Sequence, residues 1–378
     1  MKKVLQYLLR HLHFRNIDRI AKVDILRIIK RNNIKINNKV AGEHAYINKW
    51  KVFRRDVDVR YFRGYAYYIG GDENIVPSNI LNSVLEPGLN DKRYSYYYSD
   101  KNVYGRLFSK EYLPATFLRK ICGSFYDENY RSISNNILTD EMLLLSIRGA
   151  VKIVTKPTIN TNSGEGVLVF MKKDEKQYLS QFGDTLSLSN LNKLYSDDFI
   201  IQEFLCQHEF TSQFNSSSVN TYRVATYRSV TTNEVHVLGI VLRVGRQGSS
   251  VDNIHAGGYI VGINERGLLN SFLTDADGQR ITIWNGVDYE RNRFVTPHLS
   301  LVLDFARHIA SMIVHQRFLA LDIMVDSTGH PKLIEYNIGK FSDWIFELNT
   351  GTIFGIHTDE VISFCRSQQN SIQYCFQY

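Results

Sequence analysis

Two short stretches in the last fifth of the chain hold the residues best suited to chemistry. In Leu321-Asp322-Ile323-Met324-Val325 and Leu333-Ile334-Glu335-Tyr336-Asn337, apolar residues flank two carboxylates and an amide. Glu335 and Asn337 are two apart, so on a strand their side chains emerge on one face. A tight turn near Gly329 makes the stretches neighbouring antiparallel strands, and Asp322 joins the other two across the ladder. Two carboxylates and an amide oxygen at one point are hard ligands that suit Mg²⁺ carrying substrate phosphates. The alternative is a solvated acidic hairpin. The core-like flanks Leu321, Ile323, Leu333 and Ile334 argue against it, because unbalanced charge at a core edge is costly.

Cationic and glycine-containing stretches suggest an anionic ligand. Lys156-Pro157 ends a strand and leads into Thr161-Asn162-Ser163-Gly164-Glu165-Gly166. A lysine at a strand end beside such a loop can wrap phosphates with backbone N–H groups. It is neither a Walker A loop nor a dinucleotide fingerprint. Arg223 and Arg243 lie inside apolar strands, where a guanidinium is expensive without an anion. They either pair with internal carboxylates such as Asp252 or Glu335, or point into a phosphate site. Arg246 follows at the strand end. Asp252-Asn253-Ile254-His255-Ala256-Gly257-Gly258 reads as a polar loop whose glycines allow close approach to a ligand. Ile200-Ile201-Gln202-Glu203-Phe204-Leu205 ends a strand that can offer backbone groups to an adenine edge, and Glu209 stands where a carboxylate could accept ribose hydroxyls.

The elements that must position these residues follow from periodicity. Thr139 caps a helix through Ala150, with Asp140 and Glu141 in its first turn. Strands are expected at 151–156, 167–170, 199–204, 221–228, 235–244, 281–284, 319–325 and 332–335. Leu301, Phe305, Ile309 and Met312/Ile313 mark the buried face of a helix over 300–317, and a last helix spans about 358–367. Asp100-Lys101 opens a short helical stretch to Phe108. The tyrosines at 65, 67 and 68 and the run Tyr94–Tyr98 are expected on strand faces and core edges. Short turns between strands imply a largely antiparallel sheet with packed helices, an α+β fold. Four regions are expected: 1–60 basic and helical, 61–138 aromatic α/β, 139–205 a small subdomain with the phosphate loop, and 206–378 a large one with the metal site.

At 378 residues, 44% hydrophobic and 22% charged, the chain can bury a large core and is not disordered. Lys and Arg number 45 against 38 Asp and Glu, a net charge of +7 that favours polyanionic partners. The four cysteines are scattered without a C-x-x-C, which argues against a disulfide framework or zinc site and fits a cytoplasmic location. No eighteen-residue apolar run exists. Met1-Lys2-Lys3 and the apolar residues after it are broken by Arg10 and His11, so an export signal is not expected. Residues 1–31 form either a basic amphipathic surface for a membrane or acidic partner, or a helical pair packing on its own domain. The second is the commoner case.

Taken in order, Asp100-Lys101, Lys156-Pro157, Gln202-Glu203-Phe204, Asp322 and Glu335-x-Asn337 resemble the ATP-grasp superfamily. Asn220-Thr221-Tyr222-Arg223, Leu242-Arg243-Val244-Gly245-Arg246, Asp252-Asn253…Gly257-Gly258 and Phe354-Gly355…Thr358-Asp359-Glu360 resemble its sugar-transfer-associated branch, which is encoded with bacterial surface-polysaccharide genes. The resemblance covers roughly residues 95–365. It implies ATP and Mg²⁺ held between two α+β subdomains. Lys156 would contact the α/β phosphates, with Lys101 as a second nucleotide lysine. The loop with Asn162, Ser163, Gly164 and Gly166 would cover the triphosphate. Glu203 and Leu205, with Gln202 and Phe204 beside them, would offer backbone to adenine, and Glu209 would hold ribose. Asp322, Glu335 and Asn337 would bind Mg²⁺. Relatives of the D-alanine ligase type carry an arginine two residues before the metal aspartate; here that residue is Ala320, so its role would pass to Arg223, Arg243 or Arg246. Asp252, Asn253, His255, Gly257 and Gly258 are the substrate candidates.

The implied reaction is ATP-dependent ligation of a carboxylate to an amine through an acyl phosphate. Its substrates would be an amino acid and a sugar or uronic-acid unit of a surface-polysaccharide precursor. The partners would be these substrates and, beyond them, polysaccharide-assembly proteins or the inner membrane surface. A kinase on the same fold, and a non-enzymatic basic binding module for nucleic acid or membrane, are the alternatives. No RNA- or DNA-binding signature is present, so nucleic acid is not expected.

Overall fold

The computed structural model describes residues 2–147, 149–159, 165–249, 252–339 and 341–368, and in the first helix the side chains of residue 12 and of residue 15 onward. Two seven-stranded sheets organise the chain. The first takes β1 (Thr116–Ile121), β2 (Ser124–Tyr126), β3 (Ser132–Ile133), β4 (Lys152–Pro157), β5 (Leu168–Asp174), β6 (Gln177–Ser180) and β7 (Phe199–Glu203), in the order β3-β2-β1-β7-β4-β5-β6. The second takes β8 (Tyr222–Arg228), β9 (Val235–Val244), β10 (Tyr259–Gly262), β11 (Leu273–Thr274) and β12 (Arg280–Ile281). A two-stranded ribbon follows, β13 (Ile283–Trp284) and β14 (Val287–Asp288). The large sheet is completed by β15 (Phe318–Val325) and β16 (Pro331–Asn337), in the order β12-β11-β10-β9-β8-β15-β16. Every pairing in both sheets is antiparallel, as the short turns imply.

Burial alternates along the strands and creates three cores. Leu118, Ile153, Phe170, Phe199 and Ile201 turn to one face of the small sheet, where the helices Asp140–Ser146 and Leu188–Leu194 add Leu143 and Leu191. The Thr139 side chain caps the first of these by accepting from Met142 N–H. On the large sheet, Tyr222, Val224, Leu242, Leu319, Leu321 and Ile323 face the helix Leu299–Met312. The opposite face, with Ala225, Tyr227, Val241, Phe318 and Ala320, is covered by helices from both chain ends, including Lys2–Arg31, Val59–Ile69, Trp344–Asn349 and Thr358–Gln368. Both faces of the large sheet are therefore buried, which is why β15 is apolar at nearly every position.

Several expectations are corrected. Tyr65, Tyr67 and Tyr68 lie on the helix Val59–Ile69, and Tyr94–Tyr98 fall in helical turns. Asp58, Asp91 and Asp100 each accept a hydrogen bond from the N–H two residues on and start a helical turn. These caps outweigh the weak strand preference of tyrosine. The helix Leu299–Met312 buries Val302, Phe305, Ala306 and Ile309, while Leu301 and Met312 point outward. Residues 281–284 divide between the large sheet and the ribbon. Residues 2–31 form one continuous helix instead of a pair. Its second half buries Ala21, Ile25, Ile28 and Ile29 in the core shared with Val59–Ile69, a helix that runs across the expected division at residue 60. Strands β1–β3 belong to the small sheet, so that sheet begins well before residue 139.

Candidate active site

The site forms where the uncovered ends of the two sheets face each other across a cleft of about 400 Å³. From the large sheet, register places Asp322 opposite Arg223 on β8 and opposite Glu335 on β16. A bulge between Asp322 and Ile323 leaves Ile334 unmatched, while Asn337 sits opposite Ala320. Glu335 and Asn337 thus share a face with Asp322, as their spacing requires. The stacking of Tyr104 on Tyr336, with ring centroids 4.8 Å apart, fixes β16 from its other face.

Asp322 is the hub. Arg223 grips it with a fork, Nε to Oδ1 and Nη2 to Oδ2, both at 2.7 Å. Arg243 donates to Oδ2 at 2.9 Å and reaches Asp252 at 3.1 Å with its other nitrogen. Asp252 in turn accepts from Thr221 N–H and Oγ1 at 2.9 and 2.5 Å. Burial alone would raise the Asp322 carboxyl; Arg223 and Arg243 more than offset this and hold it below the usual range. Burial wins at Asp252, whose carboxyl is raised despite Arg243 and Thr221. The two strand arginines therefore pair with internal carboxylates, and Asp322, not Glu335, is the principal partner. The polar segment behind them is closed by Asn220, whose amide donates to Thr211 and Asn215 carbonyls and accepts from Gly245 N–H.

From the small sheet, Arg119 and Lys156 both sit opposite Ile200, so one row of three strands presents two cations to the cleft side. Lys101 Nζ lies 3.2 Å from Glu335 Oε2, and its N–H donates to Thr158, tying the turn that carries it to the small sheet. Lys156 is buried, with no ion pair among the described residues. Burial, and then Lys101, push its ammonium down to about 8. Arg119 is only 3% exposed and its Nε has no partner. Its guanidinium lies 4.3 Å over the ring of Tyr130, which Arg106 also faces at 4.0 Å. Arg119, Lys101, Lys156 and Gln202 together line a small cavity beside the cleft. A basic residue inside the apolar stretch Phe117-Leu118-Arg119 is the signal that could have singled Arg119 out, and sequence reasoning missed it.

The strand end Gln202–Leu205 lines the cleft. Glu203 and Phe204 N–H donate to the Ala115 and Lys152 carbonyls, and the Glu203 carboxylate accepts from Ala115 N–H at 2.7 Å. Leu205 N–H is the first beyond the strand with no backbone acceptor among the described residues.

Other expected residues fall elsewhere. Glu209 is exposed and lies outside the cleft lining, because His208 caps a short helix that turns Glu209 to solvent. Arg246 is exposed beyond the end of β9 and also stays outside. Asp252, Asn253 and His255 line the cleft; Gly257 and Gly258 do not. Gly257 has φ +86°, and a Cβ on Gly258 would sit within 3.0 Å of three backbone carbonyls, so these glycines fold the loop on itself. Gly166 closes the β4–β5 hairpin, with its carbonyl accepting from Tyr195 Oη at 2.7 Å. Asn162, Ser163 and Gly164 lie outside the described residues.

A divalent cation fits this donor set. Glu335 and Asn337 line the cleft beside Asp322, and a carboxylate and an amide oxygen are hard donors of the kind Mg²⁺ takes. Asp322 shares its oxygens between two guanidiniums, so it would be a ligand they hold in place.

Two opposed antiparallel sheets with an Asp/Glu/Asn group on one and lysines on the other define the ATP-grasp class. Within it, the family described as sugar-transfer associated ATP-grasp matches residues 80–359, and the chain belongs to that family. By sequence, no curated protein matches. Among solved structures, the ADP complex of PurK, N5-carboxyaminoimidazole ribonucleotide synthetase, is 13% identical, with a TM-score of 0.37 over 68% of this chain and 48% of that one. The ATP-grasp ligase PsnB with precursor peptide PsnA2 and AMPPNP is 14% identical, with a TM-score of 0.39 over 74% and 62%. D-alanine–D-alanine ligase from Bacillus anthracis is 13% identical, with a TM-score of 0.36 over 72% and 69%. The chain spans less than two thirds of the length of the first two.

Proposed function

We propose that the protein is an ATP-dependent carboxylate–amine ligase that works through an acyl phosphate. Its substrates are an amino acid and a sugar or uronic-acid unit of a bacterial surface-polysaccharide precursor. One observation carries the nucleotide part: among the described residues Lys156 is a buried cation without a carboxylate partner that lines the cleft with the acidic group of β15 and β16, and Arg119, equally buried and without a carboxylate partner, lies in the same row of the small sheet beside it. Such cations are stabilised by a bound anion, and a triphosphate is the anion the family handles. The substrate classes rest on the family's association with sugar transfer.

In this arrangement Lys101 and Lys156 bind the phosphates, and Leu205 N–H with the Glu203 carbonyl orients the base. Mg²⁺ held by Asp322, Glu335 and Asn337 would neutralise the developing charge on the phosphates. Arg243 stands at the junction of Asp252 and Asp322, where it can orient the acid and the transferring phosphoryl group. Ala320 is fully buried in the helix-covered core, so no longer side chain fits there; β8 and β9 supply the guanidiniums instead. Burial lowers the His255 imidazole, which leaves a neutral base at the cleft edge to accept a proton from the amine.

Glu335→Gln should abolish ATP-dependent turnover while the thermal midpoint stays within a few degrees. ADP release by this variant at the wild-type rate would refute the metal assignment. Hydroxylamine trapping with the acid substrate and ATP should yield a hydroxamate. Phosphate transfer to a hydroxyl without hydroxamate would mark a kinase instead.

A further inference from the structure

The charge of this protein is unevenly placed. Residues 1–31 carry nine Lys and Arg against Asp18 and Asp24, a net +7, which equals the net charge of the whole chain. The other 347 residues hold 36 cations and 36 anions and are neutral. One helix, Lys2–Arg31, contains this entire excess.

That helix has two unlike faces. Ala21, Ile25, Ile28 and Ile29 turn inward, and Asp18 turns with them to meet Arg54 and Asn79. Lys22, Arg27 and Arg31 pair with Asp58 and Asp277 on neighbouring elements. Outward lie Leu12, Arg15, Asn16, Arg19, Val23, Leu26 and Lys30, spaced three or four apart on one face. Leu12 is 59% exposed and Val23 57%, with Ile20 beside them at 55%. Arg15, Arg19 and Lys30 have no ion pair among the described residues, and no carboxylate interrupts this face. A helix that serves only as a solvated cover has no use for exposed branched apolar residues interleaved with unpaired arginines. A surface that is anionic above and apolar below accepts both kinds of side chain at once.

We propose that the outward face of the helix Lys2–Arg31 docks the protein on an anionic lipid surface, with the arginines at the headgroups and Leu12, Ile20, Val23 and Leu26 entering the acyl boundary. This rests on the helix and not on the proposed reaction.

The test is co-sedimentation of the full chain with vesicles of phosphatidylcholine alone or mixed with phosphatidylglycerol. Binding should require phosphatidylglycerol and should fall steeply between low salt and about 0.5 M, as screening shortens the field. Arg15→Glu with Arg19→Glu should lower partitioning at least about 25-fold, from the contribution of each basic residue near an anionic leaflet. Leu12→Ser with Val23→Ser should lower it severalfold at unchanged charge. Thermal unfolding should be unaltered in both double variants, because none of these side chains is in a core. Equal binding to both vesicle types, no binding to either, or variants that bind like the parent would each overturn the proposal. So would a dimer in solution that the arginine variant breaks, if vesicles bind nothing.

Discussion

Lys156 should make the proposed nucleotide site sensitive to pH in a direction that its burial sets. Its ammonium is held at about 8 instead of 10.5, first by burial and then by Lys101. In the unliganded protein about nine-tenths of Lys156 is protonated at pH 7 and about one-tenth at pH 9. A phosphate beside it restores the ordinary value, a change of about 2.5 units or roughly 3 kcal/mol of coupling. Nucleotide affinity should therefore fall about tenfold between pH 7 and pH 9, a range in which the phosphates are already ionised. About half a proton per nucleotide should be taken up at pH 8. Titration calorimetry in two buffers of different ionisation heat measures both quantities. Folding should respond with the opposite sign. Between about 8 and 10.5 the unfolded chain binds more protons at Lys156 than the folded one, so this group adds stability as pH rises. Lys156→Arg, charged throughout, should flatten the affinity profile. An affinity independent of pH in the wild type, or an equal slope in the arginine variant, would refute the placement of Lys156 against the phosphates.

Three further outcomes follow from the same geometry. Asp322→Asn strips the buried Arg223 of its ion-pair partner and leaves Arg243 with Asp252 alone, and should cost about 3–5 kcal/mol in denaturant unfolding. The depressed Asp322 carboxyl contributes stability that is complete above its ordinary 3.8 and lost as pH falls through the folded value. Asp343 runs the other way: burial lifts it to about 6, although Ser78 Oγ donates to it at 2.8 Å. The folded state binds more protons between 3.8 and about 6, so stability falls as pH rises through that window. Asp343→Asn should stabilise the fold at pH 7.5 by up to about 3 kcal/mol, seen as a raised thermal midpoint, and leave the midpoint unchanged near pH 3.5; destabilisation at both values would contradict this. Arg119→Gln should weaken nucleotide binding about tenfold or more without lowering the unfolding midpoint, and an unchanged dissociation constant would exclude Arg119 from the site.

Local pattern alone determined much of this protein. The two-residue spacing of Glu335 and Asn337, the turn before β16, the alternation along β8 and β9 and the cap at Thr139 are local facts, and local sequence carries them. The acidic hairpin was legible because strand period and tight turn leave Asp322 and Glu335 one plausible register. The tyrosine-rich segment was not, since aspartate caps at 58, 91 and 100 decide its helicity and depend on backbone that tertiary contacts complete. Nor was the covered face of the helix 299–312: Leu301 and Val302 are equally apolar, and only the sheet beneath selects between them. The partner of each buried charge was likewise decided in three dimensions. Arg223 could have met a ligand, but β8 beside β15 gives it Asp322 across the ladder. Arg119 looked like one basic residue among 45, and only the pairing of β1 with β7 and β7 with β4 brings it into the row of Lys156. Short-range periodicity fixes which way a side chain points; what waits for it there comes from residues a hundred positions away, and no window of sequence contains them.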